Sequence, residues 1–259
     1  MSKVVTPQTR SSTTGLRWAT LVLALSQLVT PPIIVRVYGE FLSTGATNDA
    51  VITPARYAFS IWGLITLLCA VTCVAVVRLG LSAPWESRLL VDVSVVFVGF
   101  TGWLLVAAQN WTWLSVAVLA VMVAALVDAM RLLIRRADDL TAPTWLRTLT
   151  TATFGLYLGW SSVAIFINVA AALVDGGFSP SETIWQAIVL VAAAVAAIAL
   201  TGFLRATPGY VAGTLWGLVA AAIGASQRDA ATLSGISAVA AAAVLATAVL
   251  VMWRDRKFS

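Results

Sequence analysis

The chain has 259 residues, of which 60% are hydrophobic and 10% are charged, and its mean hydropathy is +0.95. A soluble domain of this length carries more charge, so the composition predicts an all-α integral membrane protein whose main partner is the lipid bilayer. The net charge of +5 does not indicate a nucleic-acid partner, because the basic residues stand at the ends of apolar segments. The absence of histidine excludes imidazole-based metal sites and general bases.

Apolar segments about 20 residues long recur along the chain, which is the length a helix needs to cross about 30 Å of hydrocarbon. They predict a polytopic helical bundle of about eight spans, at 16–38, 55–79, 88–108, 111–134, 146–175, 184–204, 209–226 and 231–253. The Ser- and Thr-rich residues 1–15 are expected to form a flexible cytoplasmic tail. The short break at Gln109-Asn110 requires a tight hairpin between the third and fourth spans.

The basic residues predict the orientation of these spans. With the N-terminus inside, thirteen of the sixteen lie on the inner side, and only Arg36, Arg56 and Arg228 lie outside. By the positive-inside rule, both termini are expected in the cytoplasm of a bacterial inner or plasma membrane.

The second span opens with Pro54, which suits the first turn of a helix because its missing N–H costs nothing there. Phe59 and Trp62 are three residues apart and share one helix face. Trp62, and likewise Trp103 in the third span, lies deeper than the Trp residues that mark a membrane interface. These rings therefore indicate an aromatic surface inside the bundle.

The fifth span carries Trp160, Ala164 and Asn168 at intervals of four residues, with Tyr157 one turn before Trp160. An amide that faces lipid is costly, so Asn168 should face the protein interior. Two aromatic rings, a small residue and one amide on the same face predict a ligand pocket.

Two acidic residues lie within the spans. Asp92 is four residues after Arg88, and Asp128 is three before Arg131, so each is expected to pair locally on its own helix. Apart from Asn168 and hydroxyl groups, we identify no polar group at the midplane that would extend them into a proton relay.

The sequence predicts neither catalytic residues nor a metal site, so we expect that the protein is not an enzyme. No serine has a histidine to activate it, and lysine occurs only near the termini. Cys69 and Cys73 are one turn apart within an apolar span, where packing is the expected role.

Two segments carry a family resemblance. Pro54-x4-Phe59-x2-Trp62 resembles the second-helix motif of the TspO/MBR family, the translocator and tryptophan-rich sensory proteins. Tyr157-Leu-x-Trp160-x3-Ala164-x3-Asn168 is similar to the fifth-helix motif of that family. The resemblance covers residues 16–175 and implies a TspO-like five-helix membrane domain, with three additional small-residue-rich helices in 184–253.

The resemblance also implies a function: binding of a hydrophobic ligand such as a porphyrin or heme-type tetrapyrrole, with a sensory or regulatory role and no required cofactor. Loop 39–54 would cover the pocket. The implied ligand-binding residues are Pro54, Tyr57, Phe59, Trp62, Trp103, Tyr157, Trp160, Ala164 and Asn168.

Two interpretations of Arg36 and Arg56, which flank this loop, remain open. They pair either with the propionates of a tetrapyrrole, or with lipid phosphates and the nearby Glu40 and Asp49. The alternative function, a secondary transporter or exporter of a small hydrophobic molecule, also remains open.

Small residues recur every fourth position in the last spans, which lets helix backbones approach closely. The residues are Gly209, Gly213 and Gly217 in the seventh span and Ser234, Ala238, Ala242 and Ala246 in the eighth. These stripes serve packing within one bundle, a homodimer contact, or a structural contact with another membrane protein.

Overall fold

The computed structural model describes residues 7–39 and 50–258. Its described residues form α-helices and two short 3-10 turns, with no strand. The helices are α1 (Pro7–Tyr38), α2 (Ile61–Leu79), α3 (Glu86–Ala108), α4 (Thr112–Arg135), α5 (Thr144–Asp175), α6 (Thr183–Phe203), α7 (Pro208–Ser226) and α8 (Ala231–Phe258). The 3-10 turns are Arg56–Ser60 and Ala137–Asp139. Eight of the described segments are long and apolar enough to cross a membrane. The prediction of a polytopic helical bundle is confirmed.

The helix ends fall close to the predicted limits, with the largest difference at α1. This helix begins at Pro7, so the part of residues 1–15 that is described is helical, and residues 1–6 lie outside the described residues. Proline is tolerated in a first helical turn, where its missing N–H has no intrahelical partner to lose. The membrane-spanning part of α1 starts at Thr13.

The hairpin between α3 and α4 forms at the predicted break. Asn110 has a left-handed backbone with φ of 58°, a conformation that asparagine tolerates better than most residues. The amides of Asn110 and Trp111 donate to the carbonyls of Ala107 and Val106, at 3.0 and 3.1 Å. These bonds satisfy carbonyls at the end of α3 and reverse the chain within a few residues.

The spans alternate in direction, which divides the bundle into two ends. The connections 80–85, 136–143 and 204–207 form one end, called the basic end because most of the arginines lie there. The segment Ala50–Ala55 and the connections 109–111, 176–182 and 227–230 form the other end, called the loop end. The assignment of the basic end to the cytoplasm stays a prediction.

The closest helix contact in the bundle joins α5 to α7. Glycines on both helices bring the two backbones together: Gly155 and Gly159 on α5 meet Gly209 and Gly213 on α7. Gly217, one turn further, lies against the side chain of Val163. The glycine stripe of the seventh span therefore packs within the chain and is not available for a homodimer contact.

The stripe of the eighth span behaves differently. Ala238, Ala242 and Ala246 are exposed on the outer side of α8, whereas Ser237 and Val244 face the bundle. All sides of α8 are apolar, so spacing alone does not tell which side is buried. A homodimer remains a prediction.

Ion pairs at the basic end join different helices. The Arg17 guanidinium on α1 contacts both carboxylate oxygens of Glu86 on α3, at 2.6 and 2.9 Å, and Glu86 also accepts from the amides of Leu81 and Ser82. The guanidinium compensates the buried negative charge of Glu86. Through these bonds, Glu86 holds the α2–α3 connection against α1.

The second ion pair corrects a local expectation. Arg88 donates to Asp128 at 2.8 Å, so this pair joins the start of α3 to the end of α4. The expected pairs Arg88–Asp92 and Asp128–Arg131 are not among the ion pairs of the described residues. The antiparallel hairpin brings Asp128 of α4 within reach of Arg88 on α3. Residue spacing along a single helix does not predict a pair between two helices.

We expect Gly213→Ala to lower the melting temperature. The added Cβ would lie 2.5 Å from the Leu156 carbonyl oxygen and 2.8 Å from the Trp160 nitrogen. Overpacking of this kind costs about 1–3 kcal/mol, and each kcal/mol lowers the melting temperature by roughly 2–4 °C. Thermal unfolding of the purified protein in detergent, followed by tryptophan fluorescence, measures the change.

Gly235→Ala in α8 is the matched control. Its added Cβ meets no atom within 4 Å, and alanine is the better helix former, so this variant should melt at the wild-type temperature or above. Equal melting temperatures of the two variants would contradict the α5–α7 contact.

Candidate functional site

Trp62, at the start of α2, is the centre of a buried group of aromatic side chains. Its ring centroid lies 4.9 Å from Phe100 and 5.5 Å from Trp103, both on α3. On its other side lie Tyr157 and Trp160 of α5, at 5.6 and 6.1 Å. The motif residues of the second and fifth spans are therefore in direct contact.

The rings of α5 are the most deeply buried. Tyr157 and Trp160 are both 0% exposed and pack edge-to-face against Trp62, with interplanar angles of 79° and 87°. Phe59, in the 3-10 turn before α2, packs edge-to-face on Trp160 at 5.9 Å and is half-buried. We call Phe59, Trp62, Phe100, Trp103, Tyr157 and Trp160 the aromatic cluster.

Two side-chain amides lie beside the aromatic cluster. Asn168 accepts a hydrogen bond from Trp103 Nε1 at 3.2 Å and donates to the Ala164 carbonyl at 2.9 Å. Gln27, which is fully buried on α1, accepts from the Tyr157 hydroxyl at 3.2 Å. Each amide therefore joins a neighbouring helix to an aromatic residue of the cluster.

Three buried hydrogen-bond donors at the aromatic cluster are unsatisfied. Trp62 Nε1, Trp160 Nε1 and Gln27 Nε2 find no acceptor among the described residues. An unsatisfied buried donor costs about 1–3 kcal/mol, and most native buried polar groups avoid this cost. The arrangement suits a bound group that supplies acceptor atoms.

Other residues implied by the family motifs lie outside this cluster. Tyr57 is 45% exposed and packs edge-to-face on Trp216 of α7, at 5.5 Å between centroids. Pro54 is buried in the segment that packs against α7 near Gly224. Ala164 is buried on α5, where its carbonyl accepts from Asn168.

The two arginines and the loop of the implied site do not join the aromatic cluster in the described residues. Arg36 and Arg56 are exposed at the end of α1 and the start of the 3-10 turn. Residues 40–49 form most of the expected lid and lie outside the described residues. This range includes Glu40 and Asp49, the carboxylates that the two arginines were expected to reach. The role of the loop as a lid stays a prediction.

The end of the expected lid is held by α6, by α7 and by the connection from α7 to α8. Arg228, after α7, donates to the carbonyls of Thr53 at 2.8 Å and Val51 at 3.4 Å. Fully buried Gln186 on α6 accepts from the Ile52 amide at 3.1 Å. Trp216 on α7 donates through Nε1 to the Ala58 carbonyl at 2.9 Å.

Backbone contact and apolar packing strengthen this attachment. The Ala55 amide donates to the Ala220 carbonyl of α7 at 3.0 Å. A Cβ at Gly224 would lie 2.8 Å from the Ala55 nitrogen, so only glycine allows this approach. Ile52 is buried in one apolar cluster with Trp185 of α6. Residues of α6, α7 and the connection to α8 therefore fix the segment that leads into Phe59 and Trp62.

Sequence reasoning missed several of these residues. Gln27 is an amide in the middle of an apolar span, and the argument that turned Asn168 inward applies to it equally. Gln186 carries the same signal at the start of α6. For Arg228 and Trp216 the sequence carries no such signal, because their partners are backbone carbonyls far away in the sequence.

The described residues contain no group of three or more His, Cys, Asp or Glu side chains that could hold a metal ion. Cys69 and Cys73 are both buried and unpaired on α2. Buried thiols in apolar surroundings are unreactive, which fits a packing role.

The comparison with protein families agrees with the two motifs. A model of the family described as TSPO-like protein matches residues 18–253. The chain belongs to the TSPO-like family. It is a multi-pass membrane protein of that family, with eight spans among its described residues. Searches of curated proteins and of solved structures find no significant match.

The family match includes most of the last three helices. The match to the TSPO-like family continues past residue 175 through α6 and α7 and ends within α8. Of these helices, α7 contacts both motif segments directly: Gly213 lies against Trp160 and Gly224 against Pro54. The division into a domain at 16–175 and additional helices at 184–253 stays a prediction.

We expect Arg228→Gln to loosen the segment Val51–Ala55. The shorter amide cannot reach the carbonyls that the guanidinium contacts, so the backbone amides of this segment, including those of Ile52 and Ala55, should exchange with deuterium faster. Hydrogen exchange with mass spectrometry measures the rate peptide by peptide.

Gln227→Ala, which changes an exposed neighbour of Arg228, is the control and should leave the exchange rates unchanged. Peptides from α3 and α4 should exchange equally in all three proteins. If Arg228→Gln protects Val51–Ala55 as well as the wild type does, the guanidinium does not hold this segment.

Proposed function

We propose that this TSPO-like protein binds a flat hydrophobic ligand at the aromatic cluster and has a sensory or regulatory role. The observation that carries the proposal is the group of three unsatisfied donors, on Trp62, Trp160 and Gln27, inside a buried aromatic surface. A ligand that stacks on the rings and carries acceptor oxygens or nitrogens would satisfy both features.

A porphyrin or related tetrapyrrole fits this description. Its plane offers a large area to aromatic side chains, and its carboxylates are strong acceptors. Phe59 and Asn168 are half-buried members of the site, so we place the entry of the ligand on their side. Arg36 and Arg56 would pair with the propionates of such a ligand if the loop between them closes over it.

The sensory role would follow from the attachment of the loop to the last helices. A ligand that contacts both loop 39–54 and the aromatic cluster would favour the arrangement in which it touches both. The change would pass through the segment Val51–Ala55 to Arg228 and Gln186, and from them to α6 and α7. No chemical step by the protein is required, and we propose a binding protein rather than an enzyme.

Titration of the purified protein with protoporphyrin IX, followed by the Soret absorbance, tests the proposal. We expect saturable binding that Trp62→Phe weakens about fivefold, since a lost hydrogen bond costs about 1 kcal/mol. Trp160→Phe should act similarly. Trp253→Phe, at an exposed position near the end of α8, is the matched control and should bind as the wild type.

Melting curves of the variants separate lost binding from lost folding. If binding does not saturate, or if Trp62→Phe and Trp160→Phe bind like Trp253→Phe, the assignment of the site is wrong. Gradient-driven movement of protoporphyrin into liposomes would instead support the transporter.

A further inference from the structure

A cavity of about 410 Å³ lies at the basic end, and none of its lining residues belongs to the aromatic cluster. It is formed by the end of α4, the first turns of α5 and the start of α7. Its lining residues include Leu133, Leu140, Thr144, Arg147, Pro208 and Gly209. Nothing in the proposed function uses this cavity.

Arg147 is the charged group of the cavity. One of its nitrogens, Nη2, donates to the Ala137 carbonyl at 2.9 Å, which fixes the direction of the half-buried side chain. In the described part of the chain, no carboxylate forms an ion pair with it. Its Nε and Nη1 donors have no hydrogen-bond partner among the described residues.

Three threonines add hydroxyl groups next to Arg147. Thr144, Thr148 and Thr151 are four and three residues apart and lie on one side of α5. The neighbouring Thr150 donates to the Leu146 carbonyl, at 2.7 Å, whereas the three cavity threonines have no hydrogen bond within the described residues. The hydroxyl groups are thus free to bind an acceptor.

Most of the remaining cavity wall is apolar, apart from Thr207, whose hydroxyl donates to the Leu204 carbonyl. Leu133 of α4 and Leu140 after it are buried, and Pro208 and Gly209 begin α7 on the far side. Trp145, next to Thr144, is 54% exposed at the depth where tryptophan marks the membrane interface. A polar group and an apolar wall at this depth match an amphiphile.

The connection that forms one side of the cavity is strained. Arg205 and Ala206 are consecutive non-glycine residues with φ of 50° and 51°, a left-handed conformation that residues with a Cβ rarely adopt. The Ala206 amide donates to the Thr201 carbonyl at 2.8 Å, which holds the turn in place. This turn sets the position of Pro208 and Gly209 in the wall.

We propose that this cavity binds the headgroup of an anionic phospholipid. The phosphate accepts from Arg147 and the threonine hydroxyls, and the first carbons of the acyl chains lie along Leu133, Leu140 and Pro208. The net positive charge of this end of the bundle favours an anionic ligand, because the sequence places thirteen basic and six acidic residues there. Basic recesses between transmembrane helices select anionic headgroups in this way.

Native mass spectrometry of the detergent-purified protein, titrated with phosphatidylglycerol, tests the proposal. We expect one tightly retained lipid per chain, and at least tenfold weaker binding in Arg147→Gln, because a lost charge-assisted hydrogen bond costs about 1.5–3 kcal/mol. Arg131→Gln removes the same charge from an exposed position at the same end and should bind as the wild type.

A second variant, Thr148→Phe, keeps every charge and fills the cavity, and it too should lose the retained lipid. Melting curves show which variants are folded. Three results would overturn the proposal: equal retention of phosphatidylcholine, equal loss in Arg147→Gln and Arg131→Gln, or full retention in Thr148→Phe. Displacement of the lipid by equimolar inorganic phosphate would also overturn it, since the site would then bind a small anion.

Discussion

The contact between α5 and α7 depends on a close approach of the two helix backbones. In a bilayer, helices gain no hydrophobic free energy by leaving lipid, so association relies on close packing and hydrogen bonds. Gly155, Gly159, Gly209 and Gly213 supply the close packing, and a Cβ at any of them would meet main-chain atoms of the other helix. This contact places the last helices directly against the helix that bears Tyr157 and Trp160.

The second consequence of that contact is the attachment of the loop end. Because α7 lies against α5, its far end reaches the segment before α2, where Trp216, Ala220 and Gly224 meet it. The arrangement links the aromatic cluster and the last helices into one unit.

Much of the fold follows from the cost of polar groups in lipid. Eight apolar segments, a turn at Asn110 and an inward-facing Asn168 are each required by that cost, and the structure has all of them. The aromatic face of α5 follows from helical spacing. The position of its partner Trp62 came from the family motif, since spacing within one span does not show which spans are neighbours.

What the sequence could not show are contacts that depend on neighbouring helices. Arg88 pairs across to Asp128 because the α3–α4 hairpin brings them together. Ala238 faces outward, and spacing does not predict this because α8 is apolar on every side. Tyr57 turns to Trp216 because a 3-10 turn precedes α2 there. Each outcome depends on tertiary geometry rather than on local pattern.

The attachment of Val51–Phe59 to α7 also constrains how the protein is made. Helices enter the membrane in chain order, so α1 to α5 are synthesised before the partners of this segment exist. Ala55 and Ala58 are more than 150 residues from Ala220 and Trp216. Until α7 is inserted, the Gly155–Gly159 surface and these carbonyl and amide groups lack their native partners. These contacts are therefore completed late in biogenesis, and a chain that ends after α5 would carry all the motif residues without them.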